Sequence, residues 1–265
     1  MQNLKSQQGL SLIELMIAIT LGIVLMGAAL QFMLSTRQTY DLNDDISRIQ
    51  ENGRMALDII VKDLQMAGYR HPLNVLNGGK PSFFLDCVNA EGATTPCAAD
   101  GGTNTSDTLS IQFDPPPDNG TIETDCTGAS VPTSDIIANI YTVRVVDGIS
   151  SLYCQSYNAS TNTDISAAVP LVDGIDNMQV LYRVTTKIGN SERYRFVAYD
   201  QLDADDLPNI TAARVGLLVS NGFATGSADS QAREYRVLDS GTIQYTDDRQ
   251  PRRIYSTTVQ FNNRM

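Results

Sequence analysis

The chain has 265 residues, with 19 Lys+Arg against 30 Asp+Glu and a formal net charge of −11. That length supports a sizeable core, and a charged fraction of 18% argues against disorder throughout. An acidic body lacks the basic face that phosphate contacts require, so nucleic acid is not an expected partner. A single histidine, His71, rules out a histidine-rich metal site and would have to carry any Ser-His-Asp chemistry alone.

Residues 1–9, MQNLKSQQG, are polar and carry one charge, Lys5. From Leu15 to Thr36 the chain is uncharged and rich in Leu, Ile, Met and Ala. As a helix this run is roughly 33 Å long, enough to cross a bilayer core of about 30 Å. A secretory signal peptide would use Lys5 as its basic region and Gly27-Ala28-Ala29 as its cleavage site. An uncut signal anchor is the other plain reading. Both leave Glu14 unexplained, although a carboxylate at the border of an apolar run costs free energy and marks function.

Gly9-Leu10-Ser11-Leu12-Ile13-Glu14 resembles the processing site of type IV pilins and their relatives. A short basic leader, glycine at the cut, glutamate fifth after it and a following apolar run coincide. Leu10 stands where phenylalanine is commoner. The resemblance implies that a prepilin peptidase cuts after Gly9, leaving Leu10 as an N-methylated amino terminus. It assigns Glu14 to assembly, as the acceptor for a neighbouring subunit's amino terminus. Losing the leader removes Lys5 and makes the mature chain one unit more acidic.

No proline falls between Leu10 and Ala67. Beyond Arg37 an apolar stripe continues through Leu42, Ile46, Ile49, Leu57, Ile60 and Leu64 at helical spacing. Gly53 occupies the stripe where a turn is missing, which fits close approach of a packed strand. Gly68 is placed to end the helix. Within this segment Arg54-Met55-Ala56-Leu57 and Met66-Ala67-Gly68-Tyr69 resemble the large minor pilins of the PilW type; the J-type pseudopilin of type II secretion is similar here.

After residue 69 the period becomes two. Thr108–Phe113 alternates, and Tyr141–Val146 and Ile149–Tyr153 flank the hairpin signal Asp147-Gly148. Met178–Thr185 and Arg193–Tyr199 form another pair across Gly189-Asn190, and Arg214–Ser220 and Ile254–Phe261 complete the set. Leu171-Val172-Asp173-Gly174-Ile175 and the C-terminal Arg252-Arg253-Ile254-Tyr255-Ser256-Thr257-Thr258-Val259 again resemble the PilW type. The stretch from Asn74 to Ser134 carries little of the resemblance. With Gly78-Gly79, Gly101-Gly102 and Pro115-Pro116-Pro117 it reads as a loop-rich, partner-facing insertion.

Cys87, Cys97, Cys126 and Cys154 all lie in the body expected to be exported, where an even count suggests two disulfides. Three connectivities exist, and proximity in sequence favours Cys87–Cys97 and Cys126–Cys154. Each is expected to stabilise the body by roughly 2–4 kcal/mol. Zinc is the rival, but no pair has the C-x₂₋₄-C spacing.

Other candidates have plainer readings. Asp200, Asp203, Asp205 and Asp206 supply hard oxygen ligands suited to calcium, yet without an EF-hand glycine or glutamate a solvated acidic turn fits better. Arg249, Arg252, Arg253 and Arg264 form a C-terminal basic patch, read as pairing with neighbouring subunits or as solvated. Asn104, Asn158 and Asn209 head glycosylation-like triplets of a kind that arise by chance. No nucleophile, phosphate loop, metal site or cofactor motif stands out, so no enzyme is expected.

The expected fold is α+β and pilin-like: a long N-terminal helix, apolar then amphipathic, packed on an antiparallel β-sheet head. Its divisions are a cleaved leader at 1–9, a helix over 10–68 that crosses the membrane at about 12–36, and a head over 69–265. The resemblance implies a minor pilin that primes type IV pilus assembly, with the pilus tip as one position. Its partners would be the prepilin peptidase, other minor pilins and the major pilin. It would sit in the inner membrane with a periplasmic head before entering the fibre. A type II secretion pseudopilin and a helix-tethered adhesin are the alternative functions.

Overall fold

The computed structural model describes residues 11–69, 86–88, 94–96, 98–102, 104–114, 124–131, 135–161, 163–189, 191–223 and 231–263. Helix α1 spans Leu12–Met66. By its contacts the chain divides into two units, Met1–Asp44 and Asp45–Met265, so α1 contributes to both. The first unit is helix alone over its described part, and the second is the head.

Within the head, α1 buries Asp45, Ile49, Gly53, Ala56, Ile60 and Leu64, a row that recurs every three or four residues. This differs from the stripe that periodicity suggests. Leu57 and Ile46 fall on the half-buried flank and Leu42 is exposed, while Gly53 and Ala56 face inward. Large apolar residues dominate a periodicity count, but small ones sit where helix and sheet approach most closely. The helix ends as the sequence indicates. Gly68 is left-handed (φ 72°), and its N–H donates to Gln112 O at 2.8 Å, which ties the helix terminus to the first long strand.

Two antiparallel sheets pack on this helix. One runs β3 (Leu109–Phe113), β4 (Ile137–Val146), β5 (Ile149–Asn158) and β6 (Thr163–Asp164), with β7 (Val169–Asp173) also paired to β5. The other has the order β13-β10-β8-β9, from β8 (Ile175–Ile188), β9 (Ser191–Val197), β10 (Ile210–Val219) and β13 (Arg253–Gln260). The turn between β4 and β5 is the expected Asp147-Gly148, both at positive φ (53° and 78°), as a two-residue hairpin turn of the I′ kind demands. Residues from both sheets join Ile49, Ala56, Ile60 and Leu64 in one core, including Leu109, Tyr141, Leu152, Met178, Val215 and Val259.

Each expected strand is present, and several run longer than their alternating patterns. Two short hairpins went unread in the sequence: β1 (Asp86–Val88) with β2 (Thr94–Pro96), and β11 (Gln231–Tyr235) with β12 (Ile243–Asp248). The stretch 74–134 is not wholly a peripheral insertion. Its strand β3 is buried along its whole length, with Leu109 and Ile111 only 1% exposed.

Candidate assembly site

From Leu12 to Leu34 the first unit exposes a long run of apolar side chains. Leu12, Ile13, Leu15, Met16, Ile17 and Ile19 are all more than half exposed, and so are side chains as far along as Phe32 and Leu34. Two threonine hydroxyls of this unit are turned back onto the helix backbone. Thr20 Oγ1 donates to the carbonyls of Met16 and Ile17 at 3.0 and 2.9 Å, and Thr36 Oγ1 donates to Phe32 O at 2.8 Å. The helix is long and apolar enough to cross a membrane. Apolar exposure on this scale far exceeds what a soluble monomer tolerates in water, so it calls for lipid or for other helices.

Glu14 is the acidic residue of the first turn of α1. Ser11 O accepts from the N–H groups of Glu14 and Leu15 at 3.0 and 3.1 Å, which starts the helix there. A carboxylate in this turn lies beside backbone donors and the positive end of the helix dipole. Gly9 and Leu10 lie outside the described residues.

In the head, polar contacts fix the second half of α1. Asn221 Nδ2 donates to buried Asp45 at 2.8 Å, and the Arg48 guanidinium lies 5.0 Å over the Phe223 ring. One turn before the end of the helix, Asp63 Oδ2 accepts from Tyr141 Oη at 2.5 Å and Asn139 Nδ2 at 2.7 Å, both from β4. Burial raises the Asp63 carboxyl above its ordinary range, against the pull of those two donors. Burial likewise raises the Tyr141 phenol well above 10, with the Asp63 carboxylate adding to it. Asn139 Oδ1 in turn accepts from Cys126 N at 3.4 Å, and Cys126 is joined to Cys154 of β5 by a disulfide. Helix, sheet and cross-link therefore meet at one place. Neither Asp45 nor Asp63 was singled out by sequence reasoning, although Asp45 is four residues before Ile49 on the buried row.

The remaining candidates separate. Cys97 and His71 lie outside the described residues, so the Cys87–Cys97 pairing does too; the backbone of Cys87 is in β1, opposite Thr95. Asp206 binds Arg195 at 2.6 Å and accepts from Asp203 N at 3.2 Å, which makes Asp203–Asp206 a hydrogen-bonded turn. Among the described residues no group of three or more His, Cys, Asp or Glu could hold a metal ion. Arg252 is not part of a surface patch. Its side chain is buried in an ion pair with Asp176 and stacks 3.7 Å from the Tyr245 ring centroid, because that ring covers the pair. Arg249 and Arg253 are exposed, and Arg264 lies outside the described residues. Asn158 is buried and bonded to Asp135 at 2.8 Å, so it offers no accessible amide.

Residues 4–30 match the model of the prokaryotic N-terminal methylation motif, a span that takes in Gly9, Leu10 and Glu14. Residues 140–263 match the model of the Type IV Pilus-assembly protein W family. Together the two matches support a PilW-type type IV pilin. Among solved structures, a type IV-like pilin from Thermus thermophilus aligns at 14% identity with a TM-score of 0.42, over 82% of this pilin and 98% of that chain. No curated protein matches this pilin significantly. The family match takes in β5 through β13 and leaves out β1 to β3, in keeping with the weak resemblance of residues 74–134.

Proposed function

We propose that this pilin is a minor subunit that helps to prime type IV pilus assembly, with its head on the periplasmic side before it enters the fibre. Its role is structural. The observation that carries this reading is the exposed apolar surface of α1 from Leu12 to Leu34, with Glu14 in its first turn. In the membrane that surface contacts lipid. On assembly it exchanges lipid for the helices of neighbouring subunits, an exchange driven by close packing rather than by the hydrophobic effect.

Glu14 supplies the register. A carboxylate among packed apolar helices is costly unless it is neutralised or paired. Cleavage after Gly9 by the prepilin peptidase creates a cationic amine at Leu10, so the charge partner exists only on mature subunits. The Leu10 amine of one subunit and Glu14 of the next would then form the pair. Nothing in this scheme requires Glu14 for membrane insertion.

The test is Glu14→Ala in the native host. The variant should insert and be cleaved, yet fail to co-purify with the other minor pilins and lower the number of surface pili. Wild-type piliation together with wild-type co-purification would overturn the assignment.

A further inference from the structure

Among the described residues, the outer face of the β13-β10-β8-β9 sheet is covered at one end. Val237, Leu238 and the β11–β12 hairpin pack there over Gly216 and Leu218, whereas Tyr194 on β9 is 68% exposed. Strand register places Arg183 directly opposite Phe196 and Thr185 opposite Tyr194, and sets Arg214 opposite Leu181 and Thr258 on the same face.

The two arginines are held in the same way. Arg183 Nε donates to Thr211 Oγ1 at 2.8 Å, and its guanidinium lies 5.7 Å from the Tyr194 ring centroid. Arg214 Nε donates to Thr258 Oγ1 at 3.0 Å, and its guanidinium lies 4.2 Å from the Phe196 centroid. The rings themselves meet edge to face, 6.1 Å apart. Each guanidinium therefore spends its Nε and one flat face on the sheet. Neither forms an ion pair with a carboxylate among the described residues. Lys187 and Glu192, near the same edge, pair with each other at 3.7 Å and cancel.

Arg144 is held in a similar way by Thr142 and the Tyr153 ring, but Arg183 and Arg214 bring two such cations together on one sheet face of a chain whose net charge is −11. A guanidinium fixed by a hydrogen bond and a ring has already lost much of its rotamer freedom, so it loses less on binding. The free fork suits a carboxylate, which it can receive through two N–H groups.

We propose that this face docks the acidic surface of a neighbouring protein subunit, one carboxylate meeting Arg183 and a second meeting Arg214. Charge complementarity identifies the partner. The site lies on the head and is independent of Glu14 and of the priming role, so either proposal can fail without the other.

The test uses the full chain in detergent micelles and three fluorescent probes: a peptide with glutamate at alternate positions, the same peptide with glutamine, and a single-stranded oligodeoxynucleotide. The glutamate peptide should bind best, and more weakly as salt rises. Arg183→Gln with Arg214→Gln should weaken it by about tenfold or more, the range expected for losing two charge-assisted contacts. Arg183→Lys with Arg214→Lys keeps the charge but not the fork and should fall between, which separates recognition from misfolding. The proposal is overturned if the wild-type chain fails to bind the glutamate peptide. Equal binding by the Gln variant, or tighter binding of the oligonucleotide, would overturn it as well.

Discussion

Tyr255 of β13 lies flat against α1 at Gly53, so that a Cβ added there would come within 2.7 Å of the ring's Cδ2 and 3.1 Å of its Cγ. The glycine is therefore a contact surface for an aromatic ring. Alanine at this position would gain about 1 kcal/mol of helix propensity, but it would have to displace a ring close to its root, and overpacking of this kind costs about 1–3 kcal/mol. Gly53→Ala should lower stability in a denaturant titration. An increase in stability would mean that the ring moves aside freely.

The bond between Asp63 and Tyr141 joins the last turns of α1 to β4 at 2.5 Å. Tyr141→Phe keeps the buried ring and removes only the hydroxyl, leaving Asn139 to donate to a half-buried carboxyl. The expected loss is about 1–3 kcal/mol, the cost of stranding a buried polar group. Thermal unfolding of the variant beside the wild type checks it; an unchanged midpoint would show that this hydroxyl does not hold the helix to β4.

Acid should stabilise the head relative to neutral pH. Burial pushes the Asp107 carboxyl from 3.8 up to about 7, against the N–H groups of Gly101 and Val180 that bond to it, with Asp100 and Asp239 adding to the rise. Burial also raises Asp63 and Asp239. A group whose pKa is higher in the folded state binds its proton more tightly there. Its contribution is complete below the unfolded value near 3.8 and is lost as pH climbs through about 7. The unfolding midpoint should fall between pH 5 and 8, the Asp107 share being on the order of a few kcal/mol. Asp107→Asn should flatten that slope, whatever it does to absolute stability. A slope as steep in the variant as in the wild type would assign the effect to other groups.

The parts legible in the sequence are those with a local chemical signature. Gly68, the Asp147-Gly148 turn and the alternating strands β3, β4, β5, β8 and β10 announce themselves through backbone preference and period. The Gly9-to-Glu14 motif is legible because a short span holds several rare features together. Long-range contacts are not legible in this way. Asp45 and Asp63 look like ordinary helix-surface aspartates until β4 and the residues after β10 bring Tyr141, Asn139 and Asn221 to them. Arg252 reads as surface charge until Asp176 and Tyr245 enclose it. The β11–β12 hairpin stayed hidden because Gln231–Tyr235 carries three exposed residues and no apolar alternation.

This pilin is expected to be cut after Gly9 and to enter a surface fibre through its apolar helix. Mass spectrometry of fibres sheared from the native host tests it most directly. The chain should be found in that fraction with Leu10 as its N-terminus, and be missing from fibres of cells producing Gly9→Val. A chain found only in the cell envelope and still beginning at Met1, or one beginning at Leu30, would contradict it.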